Sequence, residues 1–271
     1  MNDQIQKKTV RSSDGVELYY EVYDAGNGAE KTPFFLIHGV GGDLDAWEFV
    51  RKEITIKGRA CIAMDIRGHG KSGHPRTSSA YTLEHFISDA QAVLDAEQIE
   101  KCVLVGHSLG AVLAAQIALE LKTRIEKLIL ISGSFQSPEY FKLPGMPALM
   151  KGLAALSLPP IKSGHSVYPA GKHHKDVEWL GLMRTVFRNS LRSYLMSSYY
   201  ILKDDFRNRL SELAMPVLLI TGTADTIFPK ELSEIMHEHI QNSKITVIPG
   251  GNHVIILNNP HEVSEAIISF A

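Results

Sequence analysis

The chain holds 271 residues, with 28 Lys plus Arg against 30 Asp plus Glu, a formal net charge of −2, and 44% hydrophobic and 21% charged residues. This composition excludes disorder, collagen and coiled coil, and the length allows one large α/β unit or two small domains with a sizeable core. Near-neutral charge without a block of five like charges excludes an electrostatic footprint for nucleic acid or an anionic membrane and leaves a small molecule as the expected partner.

The opening residues MNDQIQKK carry no apolar stretch behind their positive charges, and no later run reaches bilayer length, so the expected compartment is the cytosol. KKTVRSS and VELYYEVY (16–23), on either side of Asp14-Gly15, predict an antiparallel hairpin at the edge of a sheet. Apolar runs then recur, each followed by a turn and a helical pattern: TPFFLIHG (32–39), RACIAMD (59–65), KCVLVG (101–106) and EKLILIS (126–132). Such alternation predicts a mostly parallel sheet with helices between the strands. Between the second and third runs, LEHFISDAQAVLDAEQ (83–98) places Leu83, Phe86, Ile87, Ala90, Val93 and Leu94 on one helical stripe.

The alternation stops between 135 and 211, where helical patterns stand between proline-bearing turns. This segment is expected to be a helical cap inserted into a core of 1–134 and 212–271. Its six prolines predict short helices closing a compact pocket, without the long exposed apolar helix of an interfacial lipase. MPVLLITG (215–222) and KITVIPG (244–250) are continuous apolar runs, the pattern of strands covered on both faces. Cys61 and Cys102 lie inside strand-like segments and are expected as buried thiols without metal-ligand spacing.

GHSLG (106–110) stands directly after the run KCVLV and directly before the helical run AVLAAQIALELK, the context of a nucleophile elbow. A strand turning sharply into a helix forces its central residue into strained dihedrals and needs Gly106 and Gly110 where a Cβ would collide, so Ser108 is the candidate nucleophile. A serine hydroxyl needs a base to take its proton and a third group to orient that base. Asp225 in TGTADTIFP and His253 in PGGNHVIIL each follow a late strand, whereas His237 and His239 sit in a helical run and are expected to face water. The chain order Ser, Asp, His is that of one known triad arrangement.

Through LIHGVGG (36–42), DIRGHGKS (65–72), GHSLG, TADTIFP (223–229) and GGNHV (250–254), the chain resembles the α/β-hydrolase family over nearly its whole length. The resemblance implies that the backbone N–H groups of Val40 and Leu109 form an oxyanion hole, each donor typically worth about 10² to 10³ in rate. Gly39 lets backbone approach the ligand, His107 beside the serine is a further candidate substrate contact, and Met150 and Tyr199, part of the cap's adaptable apolar and aromatic content, are expected to roof the pocket. No metal or cofactor is expected. Within the family, serine at the elbow argues against dehalogenase and epoxide-hydrolase relatives. His107 and Ala111 depart from the asparagine and second glycine usual in carbon–carbon bond hydrolases.

GHGKSG (68–73) fits both a dinucleotide fingerprint and part of a phosphate loop, but Asp65 stands where the latter needs glycine and HPRTSSAYT delays the helix that the former needs. KHHKD (172–176) is His-rich yet lacks partners at ligand spacing, and reads as an exposed loop. The expected function is therefore a serine carboxylesterase acting on short- to medium-chain esters. The alternatives are a lactonase or carbon–carbon hydrolase acting on a ring-derived acid, for which Arg184, Arg188 and Arg192 at helical spacing either clamp the substrate carboxylate or simply face water, and a triad-bearing ligand receptor.

Overall fold

The computed structural model describes residues 4–24, 32–138, 141, 143–157, 160, 164–166, 168, 174–176 and 189–271. The hairpin forms as expected, with β1 (Gln4–Arg11) antiparallel to β2 (Glu17–Asp24). Among the described residues six mutually parallel strands follow: β3 (Phe34–Ile37), β4 (Cys61–Met64), β5 (Cys102–His107), β6 (Ile125–Ile131), β7 (Val217–Gly222) and β8 (Ser243–Ile248). The sheet order is β1-β2-β4-β3-β5-β6-β7-β8, with β2 antiparallel to β4.

The apolar runs are continuous because both faces of the sheet are covered. Phe34 and Leu36 pack on one side with Val50 and Ile54 of α1 (Glu48–Ile56) and Val263 and Ile267 of α8 (Pro260–Phe270). Phe35 and Ile37 belong to the opposite core with Phe86, Ala90, Val93 and Leu94 of α2 (Leu83–Ala96). Each such side chain contributes about 1.5–3 kcal/mol when fully buried. The helix α3 (Leu109–Glu120) is buried at every position from Leu109 to Leu119, since it lies against β5 and β6 and is covered by α2 and by α5 (Leu191–Leu202). Cys61 and Cys102 are fully buried, and burial pushes both thiols up to about 12.

One strand departs from expectation. β8 is the sheet edge, buried only at Ile248, so its apolar run reflects one-sided cover and not two.

The glycine-rich loop after β4 is built around buried charges. Asp65 accepts the backbone N–H groups of Leu44 and Lys71, each at 2.8 Å, and a Cβ on Gly70 would stand 2.2 Å from its Oδ2. A carboxylate at the centre of the loop excludes phosphate there. Arg67, fully buried, reaches Asp89 of α2 through Nε and Nη2 at 2.6 Å each and Asp14 of the hairpin turn through Nη1 at 2.8 Å. It thus pins hairpin, loop and helix together.

Between β6 and β7 the described residues hold α4 (Met146–Ala155) and α5, packed on each other, and no strand. α4 is short, as the prolines imply, but Leu149 and Leu153 on it and Leu156 just beyond are 55%, 42% and 81% exposed. Helical spacing of leucines marks a stripe without saying which side of it is covered. Arg184, Arg188, Met183 and the first part of the expected cap helix lie outside the described residues. Arg192 donates from Nε to the carbonyl of Ala154 at 3.0 Å and from Nη2 to that of Ser157 at 3.2 Å. Its guanidinium therefore caps the C-terminal end of α4, a role other than either the carboxylate clamp or the water-facing side chain left open by the sequence.

Candidate active site

Parallel strands deliver the predicted groups to one edge. Ser108 follows β5, Asp225 follows β7 and His253 follows β8, all beyond the strands' C-terminal ends, where α/β sheets gather their ligand-binding loops. Ser108 has φ +57° and ψ −124°, a strained conformation for a residue with a Cβ. Packing enforces it: a Cβ on Gly106 would lie 2.2 Å from the carbonyl oxygen of Gly110, and one on Gly110 would lie 2.4 Å from that of Ile37. The Ser108 N–H is tied to the carbonyl of Ile131 at 2.9 Å.

The three side chains meet. His253 Nε2 lies 2.7 Å from Ser108 Oγ, and its Nδ1 lies 3.0 Å from each oxygen of Asp225. All three residues are at least nine-tenths buried. Asp225 Oδ1 also accepts the N–H groups of Ile227 at 2.9 Å and Phe228 at 2.8 Å. Burial pushes this carboxyl up, but the hydrogen bond and charge of His253 and the two backbone donors outweigh it and hold the group below its ordinary value. An ionised Asp225 fixes the imidazole with its Nδ1 proton toward the carboxylate and Nε2 free to accept.

The loop after β3 lies against the serine, since a Cβ on Gly39 would stand 3.0 Å from Ser108 Cβ. Among the described residues no acceptor takes the backbone N–H of Val40 or of Leu109, the latter at the N-terminal end of α3. His38 shapes this loop. Its Nδ1 bonds the carbonyl of Gly39 at 2.8 Å and its Nε2 accepts the N–H of Ile66 at 3.2 Å, an arrangement that burial favours by holding the ring neutral. Asn189 completes the support by donating to the carbonyl of Gly41 at 3.1 Å and accepting the N–H of Gly70 at 3.2 Å.

His107, expected as a substrate contact, is buried with Nε2 2.9 Å from the carbonyl of His253 and Trp47 edge-on to its ring. Burial, with the charge of His253 adding, pushes it down to about 3, so it donates as a neutral ring and braces the catalytic-histidine candidate from below. Met150 of α4 is buried in the core shared with α3, and Tyr199 of α5 is half-buried with the Lys151 ammonium 4.7 Å from its ring centre. Neither has a polar contact with Ser108 or His253. His237 and His239 lie on α6 (Lys230–His239), exposed as expected.

Two further groups reach the site from the expected cap. His165 bridges Asp45 at 3.1 Å and Asp65 at 2.8 Å; burial lowers its basicity, but the two carboxylates win and raise it to about 9. Asp176, from the loop read as merely exposed, bonds the backbone of His253 at 2.7 Å and of Thr226 at 3.0 Å. No local pattern announces either residue, because the contacts form across long stretches of chain.

A strained serine at a strand-to-helix turn, joined to a histidine and an aspartate from later strands of a parallel sheet, is the arrangement of an α/β-hydrolase. Residues 28–260 match the model of the family described as serine aminopeptidase, S33, and the chain belongs to this α/β-hydrolase family. Human Protein ABHD8 is 28% identical over 241 residues, covering 87% of this chain but 54% of that protein, so the chain spans about half the length of the ABHD8 relatives it matches. The pimeloyl-[acyl-carrier protein] methyl ester esterase of Pectobacterium carotovorum is 26% identical over 94% of this chain and 98% of its own. Among solved structures, an esterase from Exiguobacterium antarcticum superposes with a TM-score of 0.75 at 22% identity, covering 98% of this chain and 99% of its own. No helix among the described residues is long and apolar enough to cross a membrane.

Proposed function

We propose that the protein is a serine carboxylesterase that cleaves short- to medium-chain esters through an acyl-enzyme. The observation that carries this reading is the unbroken relay from Ser108 Oγ through His253 to Asp225 at 2.7 and 3.0 Å. In the proposed reaction His253 takes the Ser108 proton as Oγ attacks the ester carbonyl, and Asp225 steadies the imidazolium that forms. The N–H groups of Val40 and Leu109 receive the developing oxyanion, and collapse expels the alcohol, which takes the proton from His253. Water, activated by the same histidine, then releases the acid. The Pectobacterium relative, named as a methyl ester esterase and aligned over almost the whole of both chains, supports an ester as the substrate class. Segment 135–211 is proposed as the roof that sets which acyl groups fit, with Met150 and Tyr199 acting on selectivity.

A panel of p-nitrophenyl esters of rising acyl length, run beside a lactone, a vinylogous diketone and aminoacyl p-nitroanilides, tests this. Turnover should be highest for short acyl esters and vanish in Ser108→Ala. Faster cleavage of the diketone or the anilides than of every ester would overturn the ester reading. A lactone cleaved far faster than every ester would likewise overturn the carboxylesterase reading and put the lactonase in its place.

A further inference from the structure

The relay depends on two loops at the ends of neighbouring strands, joined near their roots by the Ala224 N–H, which donates to the Gly251 carbonyl at 2.8 Å. Asp225 lies in the loop after β7, and His253 lies beyond the end of the edge strand β8. Between them stands one carboxylate contributed by neither strand. Asp176 Oδ1 accepts the backbone N–H of His253 at 2.7 Å, while its Oδ2 accepts the N–H of Thr226 at 3.0 Å and the Thr226 hydroxyl at 2.7 Å. Thr226 directly follows Asp225, so a single side chain ties the aspartate loop to the histidine loop.

The residues around Asp176 are anchored separately. The His174 N–H donates to Asn258 Oδ1 at 2.9 Å, and the His174 carbonyl accepts Nδ2 of Asn252 and of Asn258, each at 2.7 Å. Asn252 Oδ1 in turn accepts from Asn258 Nδ2 at 2.8 Å. Asn252 precedes His253, and Asn258 ends the short helix α7 (Ile255–Asn258) that follows it. The histidine loop is therefore gripped on both sides by 174–176.

We propose that Asp176 is a positioning residue for the relay, a carboxylate clamp that keeps the His253 imidazole in line between Ser108 Oγ and Asp225. The proposal rests on the reading of Ser108, Asp225 and His253 as the reaction centre. Asp176 touches no reacting atom; it acts through the backbone of His253 and Thr226. Hydrogen bonds to an ionised acceptor are roughly twice as strong as neutral ones, and a misplacement of about 1 Å in a reacting group lowers rates by about 10². A clamp of this kind governs the chemical step and leaves the acyl pocket alone.

With p-nitrophenyl acetate, Asp176→Ala should lower kcat by about 30-fold while KM changes by less than about three-fold, on the scale that misalignment sets. Asp176→Glu should restore kcat to within about five-fold of wild type, because it keeps both acceptor oxygens. Asp176→Asn should not, since its amide NH2 must face one of the N–H donors. In a background already carrying Asp225→Ala, Asp176→Ala should add less than about a two-fold loss, since residues acting as one unit do not add. Should Asp176→Ala melt well below wild type, Asn258→Ala loosens 174–176 without touching the carboxylate and should lower kcat by about five-fold, again with KM little changed. The clamp is overturned by wild-type kcat in Asp176→Ala, by a loss carried by KM alone, or by full additivity with Asp225→Ala. Ser108→Ala separates the two levels. If it is inactive while Asp176→Ala is normal, only the clamp fails; if it retains activity, the relay reading fails and the clamp with it.

Discussion

Ser108 and His253 approach within 2.7 Å of each other, yet the two are held by different physics. Ser108 stands on a turn locked by close backbone packing, between a fully buried strand and a helix buried on every side. His253 stands on a loop beside a half-exposed edge strand, held by polar contacts to His107, Asp176 and Asp225. Packing fixes a group by leaving it no room, whereas hydrogen bonds fix it only while their partners stay in place and in the right protonation state. The first support should fail by unfolding and the second by misalignment, with the fold intact.

The largest expected effect lies at the meeting point. Ser108→Ala should lower ester turnover by roughly 10⁴ to 10⁶ and abolish labelling by a fluorophosphonate, with the melting temperature close to wild type. On the polar side, Asp225→Asn should reduce kcat by about 10³ to 10⁴, because the amide no longer holds the required tautomer, and thermal melts should again change little. Gly106→Ala tests the packed side: a Cβ at 2.2 Å from a backbone oxygen should cost about 3 kcal/mol or more, seen in urea unfolding. If Gly106→Ala were to lose activity while keeping full stability, the contrast between packed and polar support would collapse.

A pH experiment sharpens the contrast. His165 is raised to about 9 by Asp45 and Asp65, above its ordinary value of 6.5. Its contribution to stability is therefore fully present below about pH 6.5 and is lost as pH rises through about 9. The melting temperature should fall more steeply between pH 7 and 10 in the wild type than in His165→Gln. Parallel curves would show that the buried Asp65 does not depend on this cation. The smallest expected effect is Tyr199→Ala, which should shift preference between short and medium acyl esters by about 1 kcal/mol, measured as a ratio of kcat/KM, while Ser108 labelling persists.

Most of the sheet was legible in the sequence because its strands are covered on both faces, which writes burial into consecutive residues such as Phe34 to Ile37. β8 misled because an apolar run does not say whether a neighbouring strand exists on both sides. The meeting of Ser108, Asp225 and His253 was legible because each follows a strand of the sheet and parallel strands bring their ends to one edge. His107 lay in the motif itself, but its job as a brace depends on a carbonyl 146 positions away. Asp176 and the backbone of Ser166, which bonds Asp43 across 123 positions, carry no local signature, since only tertiary packing creates their partners. For Arg192 helical spacing left a substrate clamp and a water-facing side chain both open, and the structure instead sets its guanidinium on the carbonyls of Ala154 and Ser157 at the end of α4.

The positive φ of Ser108 carries a consequence for selection between activity and robustness. A non-glycine residue in such a conformation costs of order 1–3 kcal/mol, which the folded chain bears for as long as a side chain must stand there. Ser108→Gly removes the hydroxyl and relieves the backbone at once, offset in part by the extra freedom glycine gives the unfolded chain. The inactive glycine protein should consequently melt above the inactive alanine protein, whose Cβ keeps the strain. A lineage freed from the need to turn over a substrate would gain thermal tolerance by that single exchange.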